Sequence, residues 1–201
     1  MKSQNFKQRI LQAALLALAF NLITTASASA KIASAFPNIA IENFGQMDDR
    51  FFRGAQPAEG DIKSLASLGI KTIIDLRDDP TNYEKRAAEA SGMRYVNIPM
   101  SDSSRPRDEQ IEEFLKIANN PATGRFFVHC AGGRHRTGVM GAVYRMTHDG
   151  WGFDEAYKEM KNYDFYTRFG HGALKDYVQA YPSQLKSIEV STSHVSSGIN
   201  R

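Results

Sequence analysis

Three short runs rich in β-branched and aromatic residues alternate with segments whose apolar residues recur at helical spacing. They lie at 71–76 (Lys-Thr-Ile-Ile-Asp-Leu), 94–99 (Arg-Tyr-Val-Asn-Ile-Pro) and 126–129 (Phe-Phe-Val-His). A chain that alternates in this way covers both faces of its sheet with crossover helices, which makes the strands largely parallel. The expected fold is α/β: a central, mostly parallel sheet of about four to five strands flanked by helices. A further short strand is expected at Phe51-Phe52-Arg53, ahead of Gly54-Ala55-Gln56-Pro57. Helices are expected on Ile62, Leu65, Ala66 and Leu68, stopped by Gly69, and from a Thr81 cap to Ser91-Gly92. Another carries Ile111, Phe114, Leu115 and Ala118 at i, i+3, i+4, i+7, and the next carries Val139, Met140, Val143, Tyr144 and Thr147. Two more are expected over 153–163 and on Leu174, Tyr177, Val178 and Tyr181.

The chain has one cysteine in 201 residues, so an internal disulfide is excluded and packing alone holds the fold. Residues 1–30 have Lys2, Lys7 and Arg9, an apolar stretch and small residues ending Ala28-Ser29-Ala30, the layout of a secretory signal peptide. Its apolar stretch is shorter than the roughly 20 residues of a membrane span. The expected protein is therefore exported, periplasmic or secreted, with no stable membrane span after leader removal. That segment holds the entire net charge of +3, since beyond it 22 basic residues face 22 acidic ones. Basicity thus gives no reason to expect a nucleic-acid partner. The expected organisation is an irregular lead-in at 31–47, broken by Pro37, one domain over 48–182, and a serine-rich disordered tail over 183–201.

An unpaired thiol in an oxidising compartment is a liability without a task, and the surroundings of Cys130 suggest one. It ends the apolar run at 126–129 and opens the stretch His129-Cys130-Ala131-Gly132-Gly133-Arg134-His135-Arg136-Thr137, which leads into a helix. Gly132 and Gly133 let consecutive backbone N–H groups turn inward, a nest that binds anions. The helix starting near Arg136 adds the positive end of its dipole. A cysteine held there is expected as a thiolate, since such settings lower its pKa to roughly 3.5–7.5. Arg136 offers a planar fork that clamps two oxygens of a tetrahedral oxyanion, and Thr137 is placed to donate a hydroxyl to the departing sulfur. The expected phosphate cradle is Ala131, Gly132, Gly133, Arg134, His135 and Arg136. This set suits attack on a phosphate monoester through a cysteinyl-phosphate that water then splits.

The run resembles the signature of the cysteine-based protein tyrosine phosphatase superfamily: His-Cys, five residues, Arg, then Ser or Thr. The resemblance spans roughly 51–181 and is nearest the atypical dual-specificity phosphatases of bacteria, fungi and plants. Phe52-Arg53-Gly54-Ala55-Gln56-Pro57 is similar to an early segment of that group, and residues 69–77 are similar to the strand that follows it. Gly133-Arg134-His135-Arg136-Thr137-Gly138 resembles the loop of the subgroup that includes inositol pyrophosphate phosphatases, with a departure at Ala131-Gly132, where that subgroup carries a basic pair. The resemblance implies a dual-specificity or tyrosine phosphatase acting on a phosphorylated protein or small phosphomonoester, without cofactor or metal. The alternatives are an inositol polyphosphate phosphatase of the same fold, a non-catalytic phosphate-binding module, and a rhodanese-type sulfurtransferase.

A phosphomonoester leaving group needs a proton, and in the superfamily an aspartate on a separate loop supplies it. Asp102, in the polar stretch between Met100 and Arg107, is the candidate; Asp108 is second, and its position equally suits a helix N-terminus. Asp75, Asp78, Asp79 and Asp164 read as strand-end, turn and surface residues. His129 is expected to hold the loop and tune the thiolate. His129, Cys130 and His135 lack the spacing of a metal site. Arg53, Arg105 and Arg107 are candidates to face the incoming phosphate, though arginines on polar loops are usually only solvated, and Trp151, Tyr157, Tyr163, Phe165, Tyr166 and Phe169 read as core or pocket-rim packing.

Overall fold

A computed structural model describes residues 36–198; the expected signal peptide lies outside these residues. Residues from Ala40 onward form one compact unit. Five strands, β1 (Gly45–Gln46), β2 (Phe51–Ala55), β3 (Ile70–Arg77), β4 (Arg94–Met100) and β5 (Arg125–Cys130), form a sheet in the order β1-β2-β5-β3-β4. All neighbours are parallel except β1, which runs against β2. The described helices are α1 (Asp61–Ser67), α2 (Glu84–Ala90), α3 (Asp108–Asn119), α4 (Arg136–His148), α5 (Phe153–Asn162) and α6 (Gly172–Gly198). The mostly parallel α/β sheet agrees with the alternation read from the sequence.

β5 sits at the centre of the sheet, and period-2 alternation divides its side chains between two differently built faces. Phe126, Val128 and Cys130 join the core made with Ile111 and Phe114 of α3, Val139 and Val143 of α4, Met160 of α5 and Leu174 and Val178 of α6. Phe127 and His129 point the other way, where Phe127 stacks on Phe44 and His129 meets Glu84 of α2. The nucleophile candidate and its neighbouring histidine therefore lie on opposite sides of one strand. α4 is buried on nearly every side from Arg136 to Val143, which fixes the helix that receives the Cys130 loop.

Three expectations fail. The lead-in is not irregular throughout: β1 lies within it, and Ile41, Phe44 and Met47 are buried, because these apolar residues cover β2 and the sheet edge. Thr81 caps nothing; α2 starts at Glu84, and Tyr83 at its N-cap instead donates its hydroxyl to the Pro57 carbonyl at 2.7 Å. The chain after Pro182 is helical up to Gly198 rather than without regular structure. Leu185 packs against the core one turn beyond Tyr181, so the apolar face of α6 continues past the proline and offsets the backbone hydrogen bond that Pro182 removes.

Candidate active site

Parallel strands in such sheets deliver ligand-binding loops at their carboxyl ends, and β5 ends on Cys130. The loop from Ala131 to His135 connects it to α4, whose first residue is Arg136. Three consecutive loop carbonyls are tied outward. The Gln56 N–H donates to the Ala131 oxygen at 3.1 Å, the Asn43 amide to the Gly132 oxygen at 2.8 Å, and the Arg53 guanidinium to the Gly133 oxygen at 2.6 Å. With the carbonyls engaged from outside, the N–H groups are left to face the interior of the loop, the arrangement of an anion nest. Gly133 has φ +65°, and a Cβ there would sit 2.5 Å from the Gly54 backbone carbon, so no other residue fits this turn.

Burial alone pushes the Cys130 thiol up. The Thr137 hydroxyl and backbone N–H, followed by Arg136 and His129, outweigh it and hold the thiol below its ordinary range. The Thr137 hydroxyl is buried with no nitrogen or oxygen partner, which leaves it for the sulfur. Arg136 is anchored at Nη1 by the Asp78 carboxylate at 2.8 Å and the Met100 carbonyl at 3.1 Å. Its Nε is buried without a partner, a donor left over for an anion.

Behind the strand, His129 Nε2 lies 2.8 Å from Glu84 Oε1 and 3.8 Å from Asp75 Oδ1, with all three side chains fully buried. The shorter contact is off the ring N–H direction and leaves both atoms without an aligned hydrogen bond, so it is a close ion pair. Burial disfavours the imidazolium, but Glu84, then Asp75 and Cys130, overcome this and hold His129 above its ordinary pKa. The carboxylates have further partners: Gln56 donates to Glu84 at 2.5 Å, Tyr95 to Asp75 at 2.7 Å, and the Arg77 N–H to Asp75 at 2.8 Å. Asp75, Glu84 and His129 are also the one group among the described residues with ligand atoms close enough for a metal, within 4.8 Å. Their existing partners define a buried charge network supporting Cys130 from the rear.

The sequence-read candidates separate clearly. Asp102, Cys130, Ala131, Gly132, Arg134, His135 and Arg136 line one cavity of about 150 Å³, together with Tyr166 and His171. This is below the roughly 300–1,000 Å³ of pockets that enclose a whole drug-sized ligand. Asp108 does not line it and lies in the exposed first turn of α3. Arg134 reaches outward to Glu42. Arg53, read as solvated, is buried beneath the loop, its guanidinium 3.9 Å from the centre of the Tyr163 ring. Asp75 lies inside β3 rather than at a strand end, and Asp78, read as turn chemistry, anchors Arg136. Glu84 and His171 were missed: α2 carries a short pattern with only Ala88 sharing the buried face of Glu84, and His171 precedes a helix without a motif.

A thiol held acidic against inward amides and a guanidinium is suited to displacement at phosphorus, and with this sheet order it defines the class of cysteine-dependent phosphatases. Within that class, the chain belongs to the family described as "DSP-PTPase phosphatase fused to NAD+ Kinase", which matches residues 36–173. It is 30% identical over 127 residues to the probable tyrosine-protein phosphatase DG1060 of Dictyostelium discoideum, covering 60% of this chain and 75% of that protein. It is 27% identical over 125 residues to the dual specificity protein phosphatase TpbA of Pseudomonas aeruginosa, covering 61% of this chain and 55% of TpbA. The fold matches the catalytic core of the PP-IP phosphatase SIW14 from S. cerevisiae with a TM-score of 0.63 at 20% identity, covering 77% of this chain and 95% of that core.

Proposed function

We propose that the chain hydrolyses phosphate monoesters of proteins, as a tyrosine or dual-specificity phosphatase, through a cysteinyl-phosphate intermediate. The observation that carries this is the convergence of Cys130, Arg136 and Asp102 on one small cavity. The Cys130 thiolate attacks phosphorus, and an S–P bond forms as the ester P–O bond breaks. Arg136 and the inward N–H groups hold the phosphoryl oxygens, and Asp102 gives its proton to the leaving oxygen. Water then attacks phosphorus, Asp102 takes its proton, and Cys130 leaves as thiolate next to the Thr137 hydroxyl. His129 supports the nucleophile from behind. No metal takes part in this scheme. The signal-peptide layout of residues 1–30 supports export to the periplasm or the medium.

Purified protein is expected to hydrolyse an aryl phosphate with chelator present, to be inhibited by vanadate, and to lose turnover in Cys130→Ser. Full activity of that variant would overturn the reading. Asp102→Asn is expected to lower kcat by about 100-fold with substrate binding kept, and Asp108→Asn to leave it unchanged. An inositol polyphosphate phosphatase is the second reading, supported by the fold shared with SIW14. The uncharged Ala131-Gly132 pair weighs against a polyanion, and relative kcat/KM on phosphopeptides and inositol polyphosphates decides between them.

A further inference from the structure

Asp102 stands on a loop held mainly by its own short turns, in which the Ser101 hydroxyl accepts from the N–H groups of Ser103 and Ser104 at 3.3 and 3.1 Å. A proton donor on such a loop needs an outside fixture to stay at one height above the thiol. The Asp102 carbonyl has one: His171 Nδ1 lies 2.7 Å from it, across 69 residues of sequence. A carbonyl only accepts, so His171 carries its proton on Nδ1. The same ring stacks on His135 of the Cys130 loop, with centroids 3.6 Å apart and planes 15° apart. Tyr166 packs edge-on against both rings, at 4.4 Å from His135 and 5.4 Å from His171. Next to His171, Gly170 has φ +90° and lies against the Ser103 side chain, bringing this segment down onto the acid loop.

We infer that His171 is the positioning residue for the proton donor: one ring grips the Asp102 backbone through Nδ1–H and rests its face on His135, fixing the acid loop over Cys130. His135 remains uncharged beneath it, because burial and then His171 itself push its pKa down to about 4. The stack is therefore not a pair of facing cations at neutral pH. The inference rests on the reading of Asp102 as the acid.

Two variants divide the His171 ring from its donor. His171→Phe keeps a ring on His135 and removes the N–H; His171→Asn keeps a donor near the Nδ1 position and removes the ring. The measurement is kcat/KM on phenyl phosphate, whose leaving group needs a proton, and on dinitrophenyl phosphate, whose leaving group does not. His171→Phe is expected to lose about tenfold or more on phenyl phosphate and to stay within about twofold on dinitrophenyl phosphate. His171→Asn is expected to recover most of the loss. The pH dependence of Cys130 alkylation should match the parent, as it reports on the thiol and not on the acid. The inference is overturned if His171→Phe loses equally on both esters or on neither, while Asp102→Asn loses on phenyl phosphate alone. If Asp102→Asn itself loses equally on both esters, the reading of the acid falls, and the inference falls with it.

Discussion

The loops that follow β3 and β4 both reach the Cys130 loop, and they do so in opposite ways. The first, with the start of α2, is a bracket: Asp78 holds Arg136, Arg77 pairs with Asp79 and bonds Gln56, and Glu84 holds His129 from the rear. The second presents Asp102 to the cavity and is gripped from outside through its backbone. The difference separates acids that position from the acid proposed to react. A carboxylate occupied by cations and amide donors is committed to those partners. One whose side chain is left facing a cavity is open to a bound substrate.

The comparison is tested most severely at Glu84. Glu84→Ala leaves a buried imidazole without its nearer counter-ion, and breaking a buried pair costs about 3–5 kcal/mol. Urea unfolding should show that loss, and Glu84→Gln should recover part of it by keeping the contact with Gln56. A stability near that of the parent would mean that the bracket does not bear on the fold. Asp78→Asn is milder, because its side chain is 61% exposed and such pairs contribute up to about 1 kcal/mol. The Met100 carbonyl still holds Nη1. KM is expected to rise about threefold with kcat retained; a large fall in kcat would make Asp78 part of the reacting set.

The remaining test concerns His135 on the gripped side and is confined to acid pH. Its pKa falls from 6.5 to about 4 on folding, chiefly by burial and then by His171. Between those values the unfolded chain binds a proton that the folded chain refuses, so stability declines as pH drops from about 6.5 towards 4. His135→Asn should flatten this part of the denaturation-midpoint curve. An unchanged slope would mean that the ring is wetter than its stacked setting implies.

The sheet was legible because each strand carries its own signal in consecutive residues, and the Cys130–Arg136 spacing was legible because it is one uninterrupted loop. The place of Asp102 beside that loop could be read from its polar stretch after β4. What stayed hidden depends on distant segments meeting. The Arg53 partner is 80 residues away, and nothing local distinguishes an arginine under a loop from a solvated one. Glu84 carried no signal of its own, since the histidine that draws it inward sits on another element. The lead-in was misread for the same reason: a short β-bridge and three apolar residues have no periodicity to reveal them.

The three outward-tied carbonyls have a further consequence for where a working fragment begins. Asn43, Arg53 and Gln56 belong to the early part of the described chain, while the loop they brace comes much later, 89 residues on for Asn43 and 80 for Arg53. A shortened protein starting at Phe51 would retain β2 to β5 and every residue drawn into the reaction scheme. It would nevertheless lack the Asn43 brace on Gly132 and the Glu42 contact with Arg134. The boundary of the catalytic unit is thus earlier than that of its parallel sheet.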